Sequence, residues 1–326
     1  MKITTDLLRQ WEACTDGYGW FIRKFPQGAD YGVVQQALRD DKRFDDSNWL
    51  TDRAFSTLLD DTSVTKVITA DAKAMSDKLI EETTAISVEV TTVDAGATND
   101  AGADDARIGS SGNDAQIGSS GYGAQIGSSG NDAQIGSSGY GAQIGSSGNG
   151  AQIGSSGYGA QIGSSGNGAR IGSSGNDAQI GSSGYGAQIG SSGNGARIGS
   201  SGNDAQIGSS GYGAQIGSSG NDAQIGSSGY GAQIGSSGNG AQIGSSGYGA
   251  QIVADGENAV IAVAGINAKI KVGKNASVSV AYKDDSGRAR FAVGYEGENL
   301  KAGAWYRVNA AGAFEEVETD EIDEAA

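Results

Sequence analysis

Ala106-Arg107-Ile108-Gly109-Ser110-Ser111-Gly112-Asn113-Asp114 is followed at once by Ala115-Gln116-Ile117-Gly118-Ser119-Ser120-Gly121-Tyr122-Gly123, and the phrase repeats without insertion to Gly249. There are 16 copies of nine residues, each Ala-Gln/Arg-Ile-Gly-Ser-Ser-Gly closed by Asn-Asp, Asn-Gly or Tyr-Gly. A fixed period marks a stacked array in which each unit is completed by its neighbours. Nine is a poor helical period, and each glycine would cost a helix about 1 kcal/mol. In Ala-Gln-Ile-Gly, strand alternation turns Ala and Ile to one face and Gln or Arg to the other. The Asn-Gly, Asn-Asp and Tyr-Gly ends suit tight turns with positive φ. Each nonad therefore reads as one short strand and one turn. Two nonads make an 18-residue coil with two sheets back to back, stacked at about 4.8 Å.

The spine of this rod is a row of isoleucines at nine-residue spacing: Ile108, Ile117, Ile126, Ile135, Ile144, Ile153, Ile162, Ile171, Ile180, Ile189, Ile198, Ile207, Ile216, Ile225, Ile234, Ile243 and Ile252. A Gly/Ser linker has no reason to hold isoleucine in register. The isoleucines alone do not offset the backbone entropy of ordering, so ladder hydrogen bonds and close Ser, Gly, Asn and Tyr packing must contribute. From Ala250 the motif turns more apolar (Gln251-Ile252-Val253-Ala254, then Ala259-Val260-Ile261-Ala262-Val263), as capping coils require.

The fold predicted is mainly β: a two-sheet β-solenoid with a small α-helical N-terminal domain and a β-rich C-terminal cap. Residues 1–95 form the helical module, with helices expected over 5–13, 31–39, 46–59 and 71–82 and a strand over 86–93 leading into the rod. The solenoid covers 96–275, with regular repeats over 106–249 and degenerate coils over 250–275. Residues 276–312 read as consecutive antiparallel strands, a cap or a dimerisation segment, and 313–326 as an acidic tail. Cys14 is read as a small buried hydrophobe.

Composition narrows the function. The 326 residues include no His and one Cys, Cys14. Histidine-based acid/base catalysis, His-containing triads, His-ligated metals and internal disulfides are thereby excluded. The net charge is −16, divided as −9 over residues 1–105, −2 over 106–252 and −5 over 253–326. That balance opposes direct nucleic-acid binding. No apolar run is long enough to span a membrane, and the acids near the N-terminus do not suit a signal peptide, so a cytoplasmic location is expected.

Four chemistries bear on the chain. It resembles the RTX nonapeptide, Gly-Gly-x-Gly-x-Asp-x-apolar-x, whose β-roll binds calcium in its turns. That resemblance makes Asp114, Asp132, Asp177, Asp204 and Asp222 the calcium candidates, although only 5 of 16 nonads carry the aspartate and the apolar residue comes one place late. Ice binding would use the regularly spaced hydroxyls, but the repeat has Ser-Ser pairs and no threonine rows. Acidic duplex mimicry would rest on the ends, because the array is nearly neutral. Serine catalysis needs one distinguished copy with a base beside it, and the Gly-Ser-Ser-Gly phrases are alike.

The opening Trp11-Glu-Ala-Cys-Thr-Asp-Gly-Tyr-Gly-Trp-Phe-Ile-Arg-Lys-Phe-Pro26 and the closing Arg290-Phe-Ala-Val-Gly-Tyr-Glu-Gly-Glu-Asn-Leu-Lys-Ala-Gly-Ala-Trp-Tyr-Arg307 resemble the ends of phage and prophage accessory proteins with short-period repeats between them. The resemblance implies a phage-encoded protein acting inside a bacterium. The expectation is a non-enzymatic structural and interaction protein without cofactors, which binds a host protein of a defence or DNA-handling system and interferes with it. Tyr122, Tyr140, Tyr158, Tyr185, Tyr212, Tyr230 and Tyr248 are the interaction candidates. Asn and Tyr alternate along the array but slip at Asn176 and Asn203, which argues against an unbroken tyrosine row on one edge. A homo-oligomer through the C-terminal β segment is the further expectation.

Overall fold

A computed structural model describes residues 2–41, 98–102 and 104–317, together with residues 43, 46, 47, 49, 50 and 53. The expected helix over 71–82, the strand over 86–93 and the end of the acidic tail lie outside these residues. The chain divides into two compact units, Met1–Val67 and Ile68–Ala326.

The first unit opens with β1 (Lys2–Ile3), α1 (Thr5–Gln10), α2 (Thr15–Lys24), β2 (Ala29–Asp30) and α3 (Tyr31–Asp40), with β1 and β2 paired antiparallel. Residues 46, 47, 49, 50 and 53 are helical. Helix α2 was not expected, because Gly17 and Gly19 depress helix propensity. It forms because it buries Trp20 and Phe21 and has acidic Asp16 in its first turn and Arg23 and Lys24 in its last. Cys14 is a second correction: it is exposed, and its Sγ caps α2 by accepting the Gly17 N–H at 3.3 Å. The core gathers Ile3, Leu8, Trp11, Trp20, Phe21, Tyr31, Val34, Leu38 and Leu50. Inside it, the buried Gln35 amide donates to Tyr31 Oη and the Ser47 carbonyl and accepts from Ser47 Oγ. Asp41 accepts from Trp20 Nε1 at 2.7 Å and Lys24 Nζ at 2.6 Å. The Lys24 bond, then the Trp20 bond, hold its carboxyl below the usual range.

The second unit contains the two-sheet β-solenoid. After β3 (Thr98–Ala101), strands β4 (Arg107–Ser110) to β19 (Gln242–Ser245) follow every nine residues, continuing through β20 (Gln251–Ala254), β21 (Val260–Val263) and β22 (Lys269–Val272). Even-numbered strands build one sheet and odd-numbered strands the other, each 12-stranded once its terminal strands are included. Neighbours within a sheet are parallel and exactly 18 residues apart in the regular array, so Ile144, Ile162 and Ile180 stand in one column and Ile153, Ile171 and Ile189 in the other. All 17 ladder isoleucines are buried, and Ala124, Ala142 and their equivalents close the core beside them.

Alternation also turns the fourth strand residue inward. Ser155, Ser173, Ser191 and their equivalents are buried, and the hydroxyls from Ser128 to Ser245 have no hydrogen-bond partner. A buried unpaired hydroxyl costs about 1–3 kcal/mol. Where the repeat degenerates, the chain replaces it: Ser236 is followed in its column by Ala254 and Val272, and Ser245 by Val263 and Val280. Ser173→Ala is accordingly expected to stabilise the rod by about 1 kcal/mol, measured as a rise in the denaturant midpoint at constant m-value.

The C-terminal end differs from a simple meander. Strand β23 (Ser277–Lys283) begins as another parallel coil strand, with Val278 beside Ile261, and its length then pairs antiparallel with β24 (Ala289–Tyr295). Strand β25 (Trp305–Val308) does not extend this hairpin. It crosses to the other sheet, pairs antiparallel with β22, and is followed by β26 (Phe314–Glu316), so part of the expected acidic tail is a strand. The crossing is driven by burial: Leu300, Tyr306 and Phe314 join the isoleucine core, and Gly294 leaves the room that Leu300 and Phe314 fill. Each sheet thus ends in an antiparallel strand that interrupts the parallel register. The β23–β24 turn is tied by Asp284, which accepts from Ser286 Oγ, Arg290 Nε and the Ser286 and Arg288 N–H groups. The Ser286 hydroxyl and the Arg290 guanidinium hold that carboxyl far below the usual range.

Candidate interaction surfaces

The coils turn at two edges, and the last two residues of each nonad build both. The second of them is left-handed throughout, with φ of 57° at Asp114 and 65° at Gly123. The five calcium candidates are therefore turn residues in the αL conformation, which Asp tolerates better than most side chains. Asp114 and Asp132 stand one coil apart on one edge, and so do Asp204 and Asp222; Asp177 stands on the opposite edge. Among the described residues, no group of three or more His, Cys, Asp or Glu side chains is placed to hold a metal ion.

The first of the two residues decides how coils are joined. Each Asn points its Oδ1 at the next coil, as Asn131 accepts from Asn149 N–H at 3.0 Å and Asn149 from Asn167 N–H at 2.9 Å. The contribution expected of stacked Asn takes this side-chain-to-backbone form, whose signal is Asn recurring at 18 residues. Tyrosine cannot accept in that way and stacks instead. Tyr122, Tyr140 and Tyr158 form one stack with ring centroids 5.5 and 5.0 Å apart, and Tyr212, Tyr230 and Tyr248 a second at 5.2 and 5.1 Å.

Both stacks lie on the same edge. The turn bonds run Gly123 N–H to Tyr140, Gly141 to Tyr158, Gly159 to Asn176, Asp177 to Asn194, Gly195 to Tyr212, Gly213 to Tyr230 and Gly231 to Tyr248. The slip at Asn176 moves tyrosine to the other edge for one turn only, Tyr185, and the slip at Asn203 returns it. Six of the seven tyrosines thus share an edge, interrupted by Asn176 and Asn194. Tyr185 donates its hydroxyl to Asp204, and that bond, with Asp222 nearby, raises its pKa above the ordinary phenol value.

The two outer faces differ although their strands have the same sequence. On the even-numbered sheet the outward glycines are buried beneath half-buried glutamines, as in Gln161–Ser164 and Gln179–Ser182. On the odd-numbered sheet Gln and Gly both stay exposed, as in Gln152–Ser155 and Gln188–Ser191. A shallow groove of about 1420 Å³ follows this open glycine row. At the C-terminal end of the same sheet, Phe291, Val293 and Tyr295 are exposed on alternate residues of β24 and so share one face. The first unit has its own apolar groove of about 280 Å³, walled by Leu8, Trp20, Phe21, Val34, Leu38, Trp49 and Leu50, with Glu12, Cys14 and Asp46 also lining it. Neither apolar surface was singled out from the sequence, since exposed aromatics cannot be told from core ones by spacing alone.

The architecture defines a two-sheet β-solenoid with a separate N-terminal module. Residues 1–59 match the family model described as the YdhT N-terminal domain. No curated protein and no solved structure matches the chain. Among the described residues, no helix is long and apolar enough to cross a membrane.

Proposed function

We propose that the protein is a non-enzymatic interaction rod, phage-encoded and acting in the bacterial cytoplasm, which binds a host protein of a defence or DNA-handling system and interferes with it. The observation that carries the binding reading is the Phe291–Val293–Tyr295 strip. Three large apolar side chains stay exposed on one face of an end strand, where a merely solvated surface would favour polar residues. The uniform coils support a structural role for the array, because no Gly-Ser-Ser-Gly copy is distinguished by a neighbouring base. The match at residues 1–59 supports treating the first unit as a module in its own right, and the resemblance of the two chain ends supports the phage setting.

Affinity capture from bacterial lysate tests this reading, with the full chain compared against a Phe291→Ser/Val293→Thr variant. Both substitutions fall on exposed positions, so the fold is retained. The wild type is expected to retain a protein that the variant loses and that binds the purified chain directly. An identical set of captured proteins from both would overturn the assignment.

A further inference from the structure

We propose that the tyrosine-bearing edge of the rod is a self-association surface on which a second copy of this chain docks antiparallel. Along that edge the turn residues read Tyr122, Tyr140, Tyr158, Asn176, Asn194, Tyr212, Tyr230, Tyr248, which is the same in both directions. A two-fold axis perpendicular to the rod, passing between the Asn176 and Asn194 coils, carries each tyrosine stack onto the other. Isologous dimers require such self-complementarity: the patch must present itself correctly to its own copy after a half-turn. A head-to-tail contact would gain nothing from a palindrome.

The chemistry of the edge suits a second copy. The six tyrosines are 41–62 % exposed, yet their rings are already ordered by stacking, so little side-chain entropy remains to be lost on docking. With about 200 Å² for a whole aromatic side chain, six half-exposed tyrosines offer about 600 Å² per copy, or about 1,200 Å² for a pair. That reaches the lower bound of specific, stable interfaces. Charge separates the two edges as well. Over the turns from Asn113 to Gly249 the tyrosine edge carries one charged residue, Asp177, whereas the opposite edge carries Asp114, Asp132, Asp204 and Asp222. Two copies meeting through the opposite edge would set four aspartates of each against those of the other, whereas through the tyrosine edge only the two Asp177 turns meet, one coil spacing apart along the rod across the axis. The surface is distinct from the β24 strip of the proposed partner site.

The test is sedimentation equilibrium of the full chain, whose monomer is 32.7 kDa. The wild type is expected to reach a dimer mass reversibly with concentration. Tyr140→Asn/Tyr230→Asn removes the middle ring of each stack, and asparagine already occupies the equivalent turn of other coils, so the rod remains folded by circular dichroism. This variant should raise the dimer dissociation constant roughly tenfold or more. Tyr185→Asn, on the other edge, and Phe291→Ser/Val293→Thr should leave it unchanged. Orientation is read from a spin label at Ile266→Cys in a Cys14→Ser background. Nine coils separate the two labels in the antiparallel pair, about 43 Å. A monomer at all concentrations, a dimer indifferent to the tyrosine substitutions, a dimer abolished by either control, or a short label distance would each overturn the proposal.

Discussion

Gly166→Ala is expected to break the rod locally and to destabilise it by about 3 kcal/mol or more, because the added methyl has nowhere to go. A Cβ on Gly166 would lie 1.9 Å from the Gly148 carbonyl oxygen and 2.5 Å from its carbon, both main-chain atoms of the coil beneath. Relief requires the two coils to move apart, and that lengthens ladder bonds worth about 0.5–1.5 kcal/mol each. The damage should be confined to coils near residues 148–184, since each repeat is held by its nearest neighbours. Hydrogen exchange should therefore accelerate there and stay slow near both ends of the array. Gly172→Ala is the matched control, six residues on in the next nonad. Its Cβ would meet nothing within 4 Å and its φ is not left-handed, so alanine should stabilise by about 0.5–1 kcal/mol through the unfolded chain. Equal effects at the two sites would refute the packing account of the corner.

These two glycines also show where sequence reading stops. Both recur in every copy of the repeat, so frequency gives them equal weight. One is required by close stacking of main chain on main chain, a contact 18 residues away that no local propensity contains. The other is free. By contrast, the isoleucine column and the 18-residue coil were legible, because burial on one face imposes a period that survives translation along the chain. The tyrosine edge was legible in principle. Tyr158 and Tyr212 are 54 residues apart, three whole coils, so the second slip had to undo the first. Counting alternation from turn to turn, without counting coils, concealed that return. Helix α2 and the cap of Cys14 were hidden for another reason: Gly17 and Gly19 argue locally against a helix that the burial of Trp20 and Phe21 sustains. The crossing of β25 to the other sheet depends on Tyr306 and Phe314 completing the core, which strand propensity alone does not reveal.

Ile180→Ala should cost about 2–5 kcal/mol, the range for truncating a fully buried aliphatic side chain to alanine. Ile180 is 1 % exposed and stands between Ile162 and Ile198 in its column, with parallel strands on both sides. Its neighbours cannot collapse into the vacated space without shifting out of ladder register, so the cavity persists and the cost lies toward the upper part of the range. Ile180→Val, which removes one methylene, should cost about 0.5–1.5 kcal/mol. Truncating Ile162 and Ile180 together should depart from the sum of the single effects, because the two cavities adjoin, whereas Ile117 and Ile243, at opposite ends of the array, should add. Denaturant midpoints with unchanged m-values give these differences. A Gly/Ser tether would respond to none of these substitutions, since an isoleucine in random coil has no core to leave. The graded series therefore separates a packed stack from a flexible spacer by stability alone, without reference to any partner.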